Sequence, residues 1–158
     1  MKPFKKYNMS TDNQQNNKLF LVCPFCQMEN FIVKHYGEVF FLTAPAVVFH
    51  FGNDELIVIK EFIARENIKE IYLVGETTCN FTKNVLDNTN LSGLPCETEI
   101  QKIKSFDDTP NTLTLKILNE QTYKLSEENI FGKEITSGTI LFHTLQTVKN
   151  ENKIIEIR

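Results

Sequence analysis

Apolar and polar positions alternate along this chain in blocks that spell out an α/β protein. Lys18-Leu19-Phe20-Leu21-Val22 is a short apolar run ending at Cys23 and reads as a buried strand. Met28, Phe31 and Ile32 follow at helical spacing, and Gly37 ends that turn. Glu38-Val39-Phe40-Phe41-Leu42 is a second buried strand, limited by Pro45. Ala46 to Phe51 is apolar and fits either a strand or an extended loop. Asn53, Asp54 and Glu55 form a helix start, with acidic groups at the positive end of the dipole. Leu56, Ile59, Phe62 and Ile63 give that helix an apolar face as far as Asn67. Ile71-Tyr72-Leu73-Val74 is a third strand, closing at Gly75, and Thr77 or Thr78 caps a helix carrying Phe81, Val85 and Leu86. Alternating strands and helices predict a parallel sheet with crossover helices.

The second half is less regular. Leu91 to Pro110 reads as loop. Thr112 to Leu118 alternates as a strand does, and Ser126 begins a short helical turn. Thr139 to Leu145 and Lys153 to Ile157 flank a polar turn at Lys149-Asn150-Glu151-Asn152, predicting a terminal β-hairpin. The expected architecture is a single α/β domain over 18–158, with a central, mostly parallel sheet flanked by helices. Residues 1–17, rich in Asn and Gln, are expected to be a flexible leader.

Composition narrows the classes of function. A chain of 158 residues with 41% hydrophobic residues buries a real core. Its net charge is −3 and its basic residues are scattered, which argues against nucleic acid as a partner. No apolar run is long enough for a membrane span. Lys2, Lys5 and Lys6 lead into no apolar stretch, so a secretory signal is not expected and a cytoplasmic location is. Four cysteines then read as metal, redox or core positions rather than a disulfide frame.

Cys23 closes the first strand, and Glu76 and Cys79 follow the third. In an open parallel sheet, ligands bind beyond the carboxyl ends of the strands, so neighbouring strands bring these side chains to one crevice. Both cysteines also fall near helix N-termini, where thiolates are favoured. The alternative is that both are small core residues. Cys26 makes Cys23-Pro24-Phe25-Cys26 a C-x-x-C motif, the spacing of a redox dithiol, and Thr43-Ala44-Pro45 is similar to the proline segment beside such dithiols. The chain between Cys23 and Pro45 is too short for the intervening elements of a glutaredoxin-like fold. His35, His50 and His143 read as structural or surface residues, Asp107-Asp108 as a solvated pair, and Cys96 as lacking a partner.

The spacing of the two turns resembles the beta-class carbonic anhydrases. That family holds zinc with a Cys-x-Asp-x-Arg turn after one strand and a His-x-x-Cys turn after a later one. The corresponding turns are Cys23-Pro24-Phe25-Cys26-Gln27 and Glu76-Thr77-Thr78-Cys79, with Thr43-Ala44-Pro45-Ala46 in place of the family's Arg-Asn-Ala-Gly loop. The resemblance covers residues 18–86 and, more weakly, the last twenty. It implies that Cys23, Glu76 and Cys79 stand at the zinc-ligand positions; Cys26 is a further candidate that could join them and close the site, although the residue at its place in the family's turn does not ligate metal. It also implies a homodimer. Phe25 replaces the Asp that handles zinc-bound water, Gln27 the Arg that orients it, and Glu76 the ligand His. The implied function is therefore a non-catalytic carbonic-anhydrase-like domain with a degenerate metal site, binding an unidentified small molecule or protein. The alternatives are a thiol redox protein using Cys23 and Cys26, and a zinc-dependent lyase with a rebuilt site.

Overall fold

The computed structural model describes residues 5–6 and 17–158. Six strands form one sheet: β1 (Lys5–Lys6), β2 (Lys18–Val22), β3 (Phe40–Thr43), β4 (Glu70–Glu76), β5 (Leu141–Val148) and β6 (Lys153–Ile157), in the order β1-β3-β2-β4-β5-β6. The four central strands run parallel, and β1 and β6 pair antiparallel at the two edges. Six α-helices accompany them among the described residues: α1 (Glu29–Tyr36), α2 (Asn53–Arg65), α3 (Asn80–Asp87), α4 (Pro95–Ile103), α5 (Pro110–Leu125) and α6 (Lys133–Thr136).

Strands β2, β3 and β4, their helices and the closing hairpin lie where the apolar pattern predicts. Leu19 to Val22 are buried without alternation, as expected of a central parallel strand covered on both faces. Gly37, at φ 78°, ends α1. Of the polar leader, Lys5 and Lys6 pair with Phe41 and Phe40; the expectation of flexibility elsewhere in 1–17 falls largely outside the described residues.

Two expectations are overturned. The run from Thr112 to Leu118 is not a strand but part of α5. Its buried residues, Leu113, Thr114, Ile117, Leu118, Gln121 and Leu125, follow helical spacing. Pro110 occupies the first turn. The Thr109 hydroxyl accepts a hydrogen bond from the Thr112 amide (3.2 Å), and the Thr112 hydroxyl accepts one from the Thr109 amide (2.8 Å). The local start signal outweighs the brief alternation of Thr and Leu. Likewise 91–110 is not wholly loop. Pro95 opens α4, and the Glu97 carboxylate turns back to accept from the Leu94 amide at 3.0 Å.

Helix α5 packs closely on β4 at Gly75, where a Cβ would lie 2.9–3.0 Å from the Leu118 side chain. Gly75→Ala is expected to cost about 1–3 kcal/mol by overpacking, read as a lowered urea midpoint with an unchanged slope.

From β2 the chain passes to β3 on one side, and later to β4 on the other. The strand order therefore reverses between β2 and β4. Beyond their carboxyl ends lies the position where side chains from two loops meet in a crevice.

Candidate metal centre

Cys23 follows β2, and Cys26 is carried back to it by a turn closed by the Cys26 amide donating to the Cys23 carbonyl (3.3 Å). Cys79 follows β4 and is itself the N-cap of α3, the place expected for Thr77 or Thr78. The sulfurs of Cys23, Cys26 and Cys79 all lie within 4.8 Å of one another, and all three residues are buried. Among the described residues this is the single group of three or more Cys, His, Asp or Glu side chains placed to share an ion.

The loop after β3 forms one wall. Pro45 to Val47 make a 3₁₀ turn in which Ala46 and Val47 both adopt φ 55°. Left-handed backbone is costly for a β-branched residue such as Val47. The conformation directs the Ala46 amide onto the Cys23 sulfur, to which it donates at 3.2 Å. The void beside the three sulfurs, lined also by Ala46, Val47 and Glu76, measures about 10 Å³. That is room for about one water-sized occupant.

Glu76 is buried, but its carboxylate is directed to other partners and stands outside the thiol group. One oxygen accepts from the Thr78 amide (2.8 Å) and the Thr78 hydroxyl. The other accepts from the Thr147 hydroxyl (2.9 Å) and the Lys149 amide (2.8 Å). The carboxylate therefore ties the end of β4 to the end of β5. The Lys149 ammonium in turn donates to the Cys26 carbonyl (2.8 Å), which fastens the Cys23–Cys26 turn to the end of β5. Sequence reasoning did not find Thr147 or Lys149, because 71 or more residues separate them from the groups they hold.

The three thiols divide their protons unequally. Hydrogen bonds from Cys23 and Cys26 lower the Cys79 thiol to about 3, and the Thr82 and Phe81 backbone amides at the start of α3 add to this against the cost of burial. A hydrogen bond from Cys26 pulls the Cys23 thiol down. Its own donation to Cys79, burial and the Cys79 charge outweigh that bond and push it up to about 12. Cys26 is pushed up by donating to Cys23 and Cys79 and by burial. Cys79 is thus the most acidic of the three thiols and Cys26 the least.

This division sets a pH dependence. The depressed Cys79 thiol adds stability that is full above its unfolded value near 9 and is lost as pH falls toward about 3. The raised Cys23 thiol adds stability that is full below 9 and is lost as pH rises toward about 12. The thiol contribution to stability of the metal-free protein therefore peaks near pH 9. The difference in unfolding free energy between the protein and its Cys79→Ser variant, measured from pH 5 to 9, is expected to widen with pH.

The other candidates stand elsewhere. His50 is exposed and its Nδ1 accepts from Lys124 at 2.8 Å. His35 donates to the Phe31 carbonyl (2.8 Å). His143 stacks on Tyr72, with ring centroids 4.5 Å apart, and meets Glu156 at 2.8 Å. Asp108, expected to be solvated, accepts from the Ser105 amide and pairs with Lys116. Cys96 is buried on α4, and burial pushes its thiol up to about 11. Phe25 is 58% exposed, its ring edge-on to Phe81 at 5.3 Å, and Gln27 is exposed at φ 51°.

No protein-family model matches the chain, and no curated protein matches it in sequence. Solved structures do match its fold. The wild-type beta-carbonic anhydrase CafD of Aspergillus fumigatus superposes with a TM-score of 0.73 at 11% identity, covering 99% of this chain and 100% of that one. One of two tetrameric beta-carbonic anhydrases of Sordaria macrospora gives 0.70 at 17% identity, over 92% of this chain and 82% of that one. A Coccomyxa beta-carbonic anhydrase in complex with acetazolamide gives 0.68 at 13% identity, over 91% and 72%. The strand order, the crevice between β2 and β4 and the near-complete superposition together show that this chain has the fold of the beta-carbonic anhydrases.

Proposed function

We propose that this chain is a non-catalytic, carbonic-anhydrase-like domain spanning 18–158, which holds a metal ion on Cys23, Cys26 and Cys79 and serves a binding or regulatory role. The gathering of three buried sulfurs within 4.8 Å carries this reading. The donor set fits zinc, since sulfurs bonded to one ion at about 2.3 Å stand about 4 Å apart. Bound zinc supplies a cross-link between the turns after β2 and β4. Glu76 keeps its role as a hydrogen-bond acceptor and is not assigned as a ligand.

Three arguments support a site without hydration chemistry, which needs an open metal position, an available hydroxide and a group that orients it. Phe25, in the place of the acceptor, has no hydrogen-bonding group and is largely exposed. Gln27, in the place of the cation, carries no charge. Three thiolates also leave a zinc centre with a net negative charge, which disfavours ionisation of a bound water. The thiol redox alternative is weaker, because Cys26 is buried and its thiol pushed up, opposite to what an attacking dithiol needs. We further propose a cytoplasmic homodimer, the assembly resting on the likeness to beta-carbonic anhydrases, of which those of Sordaria macrospora are tetrameric.

Elemental analysis of protein purified without chelator or added metal tests the reading. The expected result is about one thiophilic metal ion per chain, lost in Cys79→Ser. Equal metal content in the two proteins, or none in either with all thiols reduced, would contradict it.

A further inference from the structure

We infer that the centre selects a three-coordinate thiophilic ion over zinc, and that the trivalent arsenic of arsenite is the class it fits. This rests on the reading that Cys23, Cys26 and Cys79 ligate one ion.

The donor count leads to it. A structural zinc site takes four protein ligands in a tetrahedron. Here three sulfurs converge, and among the described residues no fourth Cys, His, Asp or Glu atom joins them. Glu76, the carboxylate that lines the void, already accepts four hydrogen bonds. Recruiting it would strip acceptors from the Thr78 and Lys149 amides and the Thr147 hydroxyl. The void beside the sulfurs, about 10 Å³, has room for about one water-sized group. Its remaining wall combines Ala46, Val47, Gly75 and Ile117 with the buried Thr82 and Thr114, none of which is a customary metal ligand.

Charge points the same way. Three thiolates with a divalent ion leave a net negative charge in a buried site, whereas with a trivalent ion they leave none. A neutral adduct avoids the cost of burying charge. Trivalent arsenic bonds three sulfurs as a pyramid and needs no fourth ligand, and soft thiolate donors favour such an ion. The step balances without redox change. Three As–S bonds form as three As–OH bonds of arsenous acid break; the Cys23 and Cys26 thiol protons and one proton from solvent, for the Cys79 thiolate, leave with the three hydroxides as water.

The test is titration of the full chain with sodium arsenite, followed by near-ultraviolet sulfur-to-arsenic absorption and by counting thiols that stay open to alkylation after denaturation. The expected result is one arsenic per chain and three protected thiols, with Cys96 left reactive. Cys26→Ser is expected to weaken binding by about tenfold or more, whereas Cys96→Ser leaves it unchanged. Circular dichroism checks the fold of both variants, and Cys79→Ser provides a second removal of a ligand. Tenfold excess zinc is expected not to displace the arsenic. Zinc that binds tightly and displaces arsenite, or equal arsenite affinity in Cys26→Ser, overturns the inference while leaving a thiol metal centre standing. A protein that binds neither zinc nor arsenite overturns that underlying reading as well.

Discussion

Glu76→Ala is expected to be among the most damaging single changes in this chain, lowering stability by about 2–4 kcal/mol. The side chain is buried and accepts four hydrogen bonds, two from neighbouring Thr78 and two, from Thr147 and Lys149, that join the end of β4 to the end of β5. Truncation leaves the half-buried Lys149 amide and the exposed Thr78 amide without this acceptor, and the buried Thr147 hydroxyl with only the Gly75 carbonyl at 3.5 Å. The loss also frees Lys149, whose ammonium holds the Cys26 carbonyl. The effect therefore spreads to the thiol turn. Urea denaturation of metal-free protein measures the first part. Glu76→Gln retains two acceptor lone pairs and is expected to recover part of the loss. A Glu76→Ala protein as stable as the parent would show that this carboxylate does not tie the two strands.

Reversing the three departures from the carbonic anhydrase turn is expected to fail. The variant Phe25→Asp, Gln27→Arg, Glu76→His supplies each missing residue type, yet the surroundings oppose all three. Residue 25 stands exposed beside Phe81, so an Asp there has a path to solvent. Residue 27 is exposed in a left-handed turn. A His at 76 loses the carboxylate that the ends of β4 and β5 grip, and the Cys26 sulfur still stands within 4.8 Å of both other thiols as a competing ligand. The expected outcome is a destabilised protein with no hydration above the uncatalysed rate. Measurable activity in this variant would show that the pocket is more adaptable than its packing indicates.

The pattern of apolar residues was enough to place β2, β3, β4, α1, α2 and the terminal hairpin, because buried parallel strands and amphipathic helices write their periods directly into sequence. It failed at α5, where Thr, Leu and Ile alternate for a few residues and imitate a strand. The stronger signal there was the Thr109-Pro110 helix start, and for α4 it was Leu94-Pro95 followed by Glu97. The meeting of Cys23 and Cys79 was legible because both end strands of a parallel sheet. The closeness of the Cys26 sulfur to both others came only from the structure, since spacing alone does not place it against Cys79. The hydrogen bonds of Glu76 were not legible for a different reason. Its partners Thr147 and Lys149 come from the far end of the chain, and no local pattern announces a hydrogen bond across 71 residues.

The central claim is that a carbonic anhydrase fold here carries a thiol metal centre without the hydration reaction. Stopped-flow measurement of carbon dioxide hydration, on zinc-loaded protein whose metal content has been determined, tests it most directly. The predicted result is a rate equal to the uncatalysed background at full zinc occupancy. Turnover that rises in proportion to bound zinc and disappears in Cys79→Ser would contradict it.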